Sequence, residues 1–117
     1  MKFVFDNDRP IYIQLVEQLK IYIISNKLEP GSKIPSVRDL AITSKVNPNT
    51  VQKALQELEN EALIYTERTN GKFVTNDIGL IQKLKNKLVK DKIDVLINEM
   101  KQIGITKDEL LEYLRGE

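Results

Sequence analysis

Two helix starts in quick succession constrain this chain more than any other feature. Pro30-Gly31-Ser32-Lys33-Ile34-Pro35 reads as a tight turn, and Ser36 behind it is a favoured N-cap whose hydroxyl can satisfy a free N–H of a first helical turn. Val37, Leu40 and Ala41 then supply a small apolar face for a short helix. After a brief link comes Val46-Asn47-Pro48-Asn49-Thr50-Val51. Asn47 is again a favoured cap, and Pro48 falls at the first helical position, where its missing N–H costs nothing. Two helices on a short turn, the second polar at its start, form a helix-turn-helix.

The second helix has two faces. Val51, Leu55 and Leu58 recur at helical spacing and belong to a core, while Asn49, Gln52, Lys53 and Gln56 lie on a polar side. Any surface helix needs a polar face, so periodicity by itself does not assign that side a ligand. Further on, Leu63-Ile64-Tyr65-Thr66 and Lys72-Phe73-Val74-Thr75 are strand-like runs around Glu67-Arg68-Thr69-Asn70-Gly71, a hairpin with Asn-Gly at its turn. Upstream, Met1 to Asn7 reads as an extended arm. Asp8 is placed to cap a first helix with Pro10 in its early turn, and Ile11, Leu15, Leu19 and Ile23 form its stripe, flanked by Tyr12 and Val16. Ile13, Tyr22 and Ile24 lie off that stripe, either as scattered surface residues or as contacts for a second subunit.

These parts together carry a resemblance. Pro30-Gly31-Ser32-Lys33-Ile34-Pro35-Ser36-Val37-Arg38-Asp39-Leu40-Ala41, then Val46, Thr50-Val51, Leu55, Leu58-Glu59, Leu63-Ile64 and Gly71-Lys72-Phe73-Val74, in that order and spacing, resemble the winged helix-turn-helix of GntR-family transcription regulators. The resemblance implies a mostly α fold with a small β-hairpin, whose second helix reads the DNA major groove and whose hairpin is the wing. Arg38 matches the arginine of the short helix that reaches DNA in this family, and Asn47, Pro48, Asn49, Thr50 and Gln52 match the start of the recognition helix. Asn and Gln amides pair bidentately with adenine, while Lys53 can reach guanine or a phosphate.

This chain departs from the family at several positions. Relatives often carry arginine where Pro48 or Gln52 stands here, which moves guanine readout toward Arg38; the alternative for Arg38 is a surface pairing with Asp39 or Glu61. Thr69 replaces the first glycine of the wing's G-x-G and Gly71 keeps the second, while Arg68 and Lys72 flank it and suit a narrow groove or phosphates. Asn26 and Ala62 stand at helix ends where glycine is usual. The candidate DNA-binding set is Ser36, Arg38, Asn47, Pro48, Asn49, Thr50, Gln52, Lys53, Arg68, Gly71 and Lys72.

Charge and composition limit the alternatives. The 117 residues include no Cys and no His, which excludes a disulfide scaffold, a thiol nucleophile and an ordinary zinc site. No carboxylate pair has a spacing that suggests an enzyme, and no cofactor is expected. No apolar run reaches the ~20 residues of a membrane span and no signal sequence opens the chain, so a cytoplasmic protein is expected. The net charge is only +1, with 10 Lys and Arg against 9 Asp and Glu up to residue 76 and 8 against 8 beyond it. A DNA-binding surface then needs local sorting of charge, with Asp39, Glu57, Glu59 and Glu61 turned away. The near-neutral balance also fits a winged helix that holds a protein partner and has no DNA site.

Residues 77–117 read as a helical tail. Ile81, Leu84, Leu88, Val89, Ile93, Leu96, Ile97 and Met100 cover a wide helical face, interleaved with lysines that read as a solvated side. Gly104 ends that helix, and Thr106-Lys107-Asp108-Glu109 is a capping box for another, with Ile105 and Leu110 as a hydrophobic staple. Two amphipathic helices of this size cannot bury their stripes alone, so Ile81, Leu84, Leu88, Ile93, Leu96, Met100, Leu110 and Leu114 are candidate dimerisation residues. The short tail resembles that of the YtrA subfamily, in place of the larger ligand domain of other GntR regulators. The resemblance implies a winged domain at residues 1–76, a dimerisation tail at 77–117, a homodimeric repressor of its own operon and of ABC-transporter genes, and a palindromic double-stranded operator. A small-molecule effector of unknown identity is compatible with it.

Overall fold

Leu15, Leu19 and Ile23 fall on successive turns of α1 (Ile11–Ile24), and all three are at most 1% exposed in the computed structural model, which describes residues 1–116. They meet Val51, Ala54, Leu55 and Leu58, the buried face of α3 (Pro48–Asn60), with Leu40 of α2 (Val37–Ser44) closing the same core. Burying each such side chain contributes about 1.5–3 kcal/mol, which is ample for a small three-helix core. Two strands follow, β1 (Ile64–Glu67) and β2 (Gly71–Val74), paired antiparallel with Ile64 opposite Val74 and Glu67 opposite Gly71. Each strand is shifted by one residue from the runs expected from the sequence, because the three residues Arg68 to Asn70 form the turn and Gly71 joins the ladder.

The segment before α2 lies along the other edge of β2. Gly31 donates to the Val74 carbonyl at 2.9 Å, Val74 donates back to Ser32 at 2.9 Å, and Ile34 donates to Lys72 at 2.8 Å. Lys33 thereby sits opposite Phe73. This zipper fixes the wing to the start of the helix-turn-helix.

Helix ends explain the chain reversals. Ala62 has φ +62, with Leu63 donating to Leu58 and Ala62 to Glu59, the paired bonds of a Schellman end. Asn26 is likewise left-handed at φ +66, so both positions keep the conformation that glycine would favour. The start of α1 differs from expectation. Asp8 does not cap it: Pro10 is the N-cap and supplies no side-chain bond, while the Asp8 amide turns back to the Asp6 carboxylate at 3.0 Å.

The N-terminal arm is held by α1 itself. The Gln14 amide bonds the N–H and carbonyl of Asp6, Gln18 does the same for Val4, and the Tyr22 hydroxyl does so for Lys2. Side chains one helical turn apart thus match every second residue of an extended chain, since about 6 Å of helix equals two residues of strand. Tyr22, one of the residues off the main stripe, is occupied in this way.

The structure divides into two compact units, Met1–Gln82 and Lys83–Glu117. The long helix α4 (Ile78–Gln102) and the short α5 (Lys107–Arg115) contain no fully buried residue. Gly104, at φ +80, ends α4 in a Schellman pair in which Ile105 donates to Met100 and Gly104 to Lys101. Thr106 caps α5 with both halves of the capping box present. Among the described residues, no helix is long and apolar enough to cross a membrane.

Candidate nucleic-acid interface

The caps read from the sequence set the geometry of the helix pair. The Ser36 hydroxyl accepts from the Asp39 amide at 3.1 Å, and the Asn47 carboxamide accepts from the Asn49 amide at 2.8 Å with Pro48 at the start of α3. Between them Lys45 turns left-handed at φ +59, and Val46 donates to Ala41 to close α2. Because α3 commits Val51, Ala54, Leu55 and Leu58 inward, Asn49, Gln52, Lys53 and Gln56 emerge exposed on its opposite side. Thr50 is half-buried at its flank.

Arg38 projects from α2 into solvent and makes no ion pair among the described residues. Glu61, one of its candidate partners, is taken by Lys20 at 2.8 Å. The guanidinium is therefore available to an anion from outside. Lys53 is placed differently, with its ammonium 3.9 Å from the centroid of the Tyr12 ring on α1.

On the wing, Arg68 and Gly71 are exposed, and Gly71 adopts φ +99. Lys72 points elsewhere. Its ammonium bonds the Glu59 carboxylate of α3 at 3.1 Å and the Thr66 hydroxyl at 2.8 Å, and Thr66 in turn donates to Glu59 at 2.6 Å. The Thr66 hydroxyl first, and Lys72 after it, hold the Glu59 carboxyl below the usual carboxylate value. A groove of about 370 Å3 runs between the wing tip and the start of α2, and Ser36, Gly71 and Lys72 all line it.

The acidic charge near α2 and α3 is paired in part, and Asp39 stays exposed beside Arg38 with no ion pair among the described residues. Two of the four carboxylates that would repel a phosphate backbone, Glu59 and Glu61, are tied to Lys72 and Lys20, whereas Arg38 and Arg68 carry no such partner among the described residues. Near-neutral composition therefore coexists with free arginines on this surface.

Sequence reading missed three contributors: Tyr12, Glu59 and Lys33. Tyr12 and Glu59 had been placed only by periodicity or by sign of charge, and their partners come from other elements. Lys33 lies inside the motif quoted for the turn, yet only the edge pairing with β2 brings it to the wing. Of the candidate tail residues, Ile81, Leu84, Leu88, Met100 and Leu110 are half-buried, while Ile93, Leu96 and Leu114 are exposed at 48%, 38% and 69%.

Residues 11–74 match the family described as bacterial regulatory proteins, gntR family. The chain is similar to the uncharacterized HTH-type transcriptional regulator YhcF of Bacillus subtilis (strain 168), at 37% identity over 95% of this chain and 92% of that one. It is also similar to the HTH-type transcriptional repressor YtrA of the same organism, at 36% identity over 91% and 82%. Among solved structures, a GntR family transcriptional regulator from Listeria monocytogenes superposes with a TM-score of 0.88 at 38% identity, covering 97% of this chain and 99% of that one. The crystal structure of AraR(DBD) in complex with operator ORX1 matches 64% of this chain and 96% of its own, with a TM-score of 0.59 at 28% identity. The two Bacillus relatives and the Listeria protein are named as transcription regulators, not enzymes.

Proposed function

We propose that this chain, which belongs to the gntR family of bacterial regulatory proteins, is a homodimeric, sequence-specific repressor that acts on its own operon and on ABC-transporter genes. The observation that carries the DNA-binding part is the joint exposure of Arg38, Asn49, Gln52 and Gln56 beside an exposed Arg68 on the wing, with neighbouring Glu59 and Glu61 neutralised by lysines. Arg38, Lys53 and the amides of α3 position and read in the major groove, Asn47 and Thr50 fix the approach of the helix, and Arg68, Gly71 and Lys72 hold the wing on the backbone. A repressor role is supported by the name of the Bacillus subtilis relative YtrA.

Homodimerisation is supported by α4 and α5, in which no apolar side chain is fully buried. A two-fold dimer presents two copies of α3 to successive major-groove faces, so the operator is a palindrome with half-sites about one helical turn apart. The domain division that follows is a DNA-binding portion at residues 1–76 and a dimerising tail at 77–117. The protein works in the cytoplasm, where its DNA is.

Binding of the full chain to a labelled fragment from upstream of its own gene, against an unrelated fragment, tests the reading. Saturable binding to the upstream fragment with two chains per fragment is expected. Arg38→Ala combined with Gln52→Ala removes the preference for that fragment; unchanged preference in the double variant would show that the reading face lies elsewhere.

A further inference from the structure

We propose that Lys33 is a DNA-phosphate contact at the joint between the wing and α2, a role that rests on the DNA-binding reading above. Three observations place it there. First, Lys33 is held in register by the edge zipper, with Ser32 and Ile34 on either side of it bonded to Val74 and Lys72 of β2. Second, its side chain crosses the face of Gly71: Cε lies 3.2 Å and the ammonium 3.9 Å from where a Cβ at Gly71 would stand. The ammonium therefore sits at the wing tip, over the face that Gly71 leaves bare.

Third, the two lysines of the wing region differ in their partners. Lys72 is engaged by Glu59 and Thr66, whereas Lys33 is exposed and has no carboxylate partner among the described residues. An unpaired ammonium beside Ser36, Thr69 and Asn70 in the groove described above offers an anionic oxygen a cation and hydrogen-bonding side chains together. The anion that reaches such a joint when α3 lies in the major groove is a backbone phosphodiester. Because a lysine contacts phosphate as a point charge, Lys33 adds affinity and register without reading sequence.

The test is the salt dependence of binding by fluorescence anisotropy, with the labelled upstream duplex and an unrelated duplex, for the full chain and for Lys33→Met, Lys33→Gln and Lys33→Arg. Lys33→Met keeps a long stem over Gly71 and removes only the charge. One lost phosphate contact makes the slope of log affinity against log salt shallower by about 0.9, equivalent to about an eightfold loss at 0.1 M salt if the lines meet at 1 M. The loss falls equally on both duplexes, Lys33→Arg restores the slope, and Lys33→Gln shows the same loss and takes the place of Lys33→Met should the latter fold poorly by thermal melt. A wild-type slope retained in the neutral variants overturns the assignment while leaving DNA binding intact. A wild-type chain whose binding ignores salt overturns the DNA reading itself, and the assignment with it.

Discussion

The ammonium of Lys53 lies 3.9 Å from the centroid of the Tyr12 ring, joining the outward face of α3 to the first turn of α1. The contact holds a long, flexible side chain in one place before any partner arrives. Under the function proposed above, it lowers the rotamer entropy that Lys53 has left to lose on meeting DNA, while its ammonium remains on the exposed side of the helix.

The energetic part of that contact is directly measurable. Tyr12→Leu removes the ring's negative face and is expected to cost about 0.5–1 kcal/mol, the usual range for an exposed cation–π pair. Tyr12→Phe keeps the ring and is expected to stay near wild type, since the Tyr12 hydroxyl makes no hydrogen bond among the described residues. Urea denaturation followed by circular dichroism reads both: a lower midpoint at unchanged slope for Tyr12→Leu alone. Equal midpoints for all three chains would show that the contact contributes nothing.

Ala62 predicts a change of the opposite sign. A left-handed backbone costs an L-residue roughly 1–2 kcal/mol, and Ala62 occupies it at φ +62 while both Schellman bonds are formed. Glycine relieves that cost but loses roughly 0.5–1 kcal/mol to the greater freedom of the unfolded chain. Ala62→Gly is therefore expected to stabilise by up to about 1.5 kcal/mol. A lower denaturation midpoint in the variant would contradict the strain assigned to this turn.

What the sequence displayed best was its local chemistry. The bonds made by Ser36, Asn47 and Thr106 are each between residues no more than three apart, so residue type and spacing were sufficient to anticipate them. Asp8 failed for a local reason too: the chain turned back on Asp6 instead, and Pro10 took the capping position. The partners of Lys53 and Lys72, and the strand edge that positions Lys33, lie on other elements, and nothing in their own neighbourhoods specifies them. Lys72 illustrates this most plainly. Read along the chain it flanks the wing tip, but antiparallel pairing puts it opposite Thr66, beside a carboxylate of α3.

Glu59 gives the wing a pH dependence with a definite sign. Its carboxyl is held below the ordinary value of 4.5, chiefly by the Thr66 hydroxyl and then by Lys72. A depressed folded-state value means that the ionised form stabilises the fold above the unfolded value, and that this contribution is lost as pH falls below 4.5 through the lower, folded value. Wild type and Glu59→Gln are therefore expected to differ most in denaturation midpoint near neutral pH and to converge in acid below that point. A gap that stays constant down to pH ~3 would mean that the carboxylate is not the group responsible.

The tail supplies the last prediction, because its helices have sequence support but little internal burial. Isolated amphipathic helices are marginal in water, so α4 and α5 need their apolar side covered to persist. Ile93 and Leu96 lie on that side at 48% and 38% exposure, and covering residues of this kind is worth about 1.5–3 kcal/mol each. Placing a carboxylate at both positions opposes association without touching the buried core of α1, α2 and α3. Ile93→Asp with Leu96→Asp is expected to sediment as a monomer and to lose helical signal in proportion to the tail, while the winged portion still unfolds cooperatively. The same variant is expected to bind a half-site duplex much as before and a palindrome far more weakly than wild type, since only the second depends on linkage of two copies. A double variant that remains dimeric would assign the subunit contact to another surface.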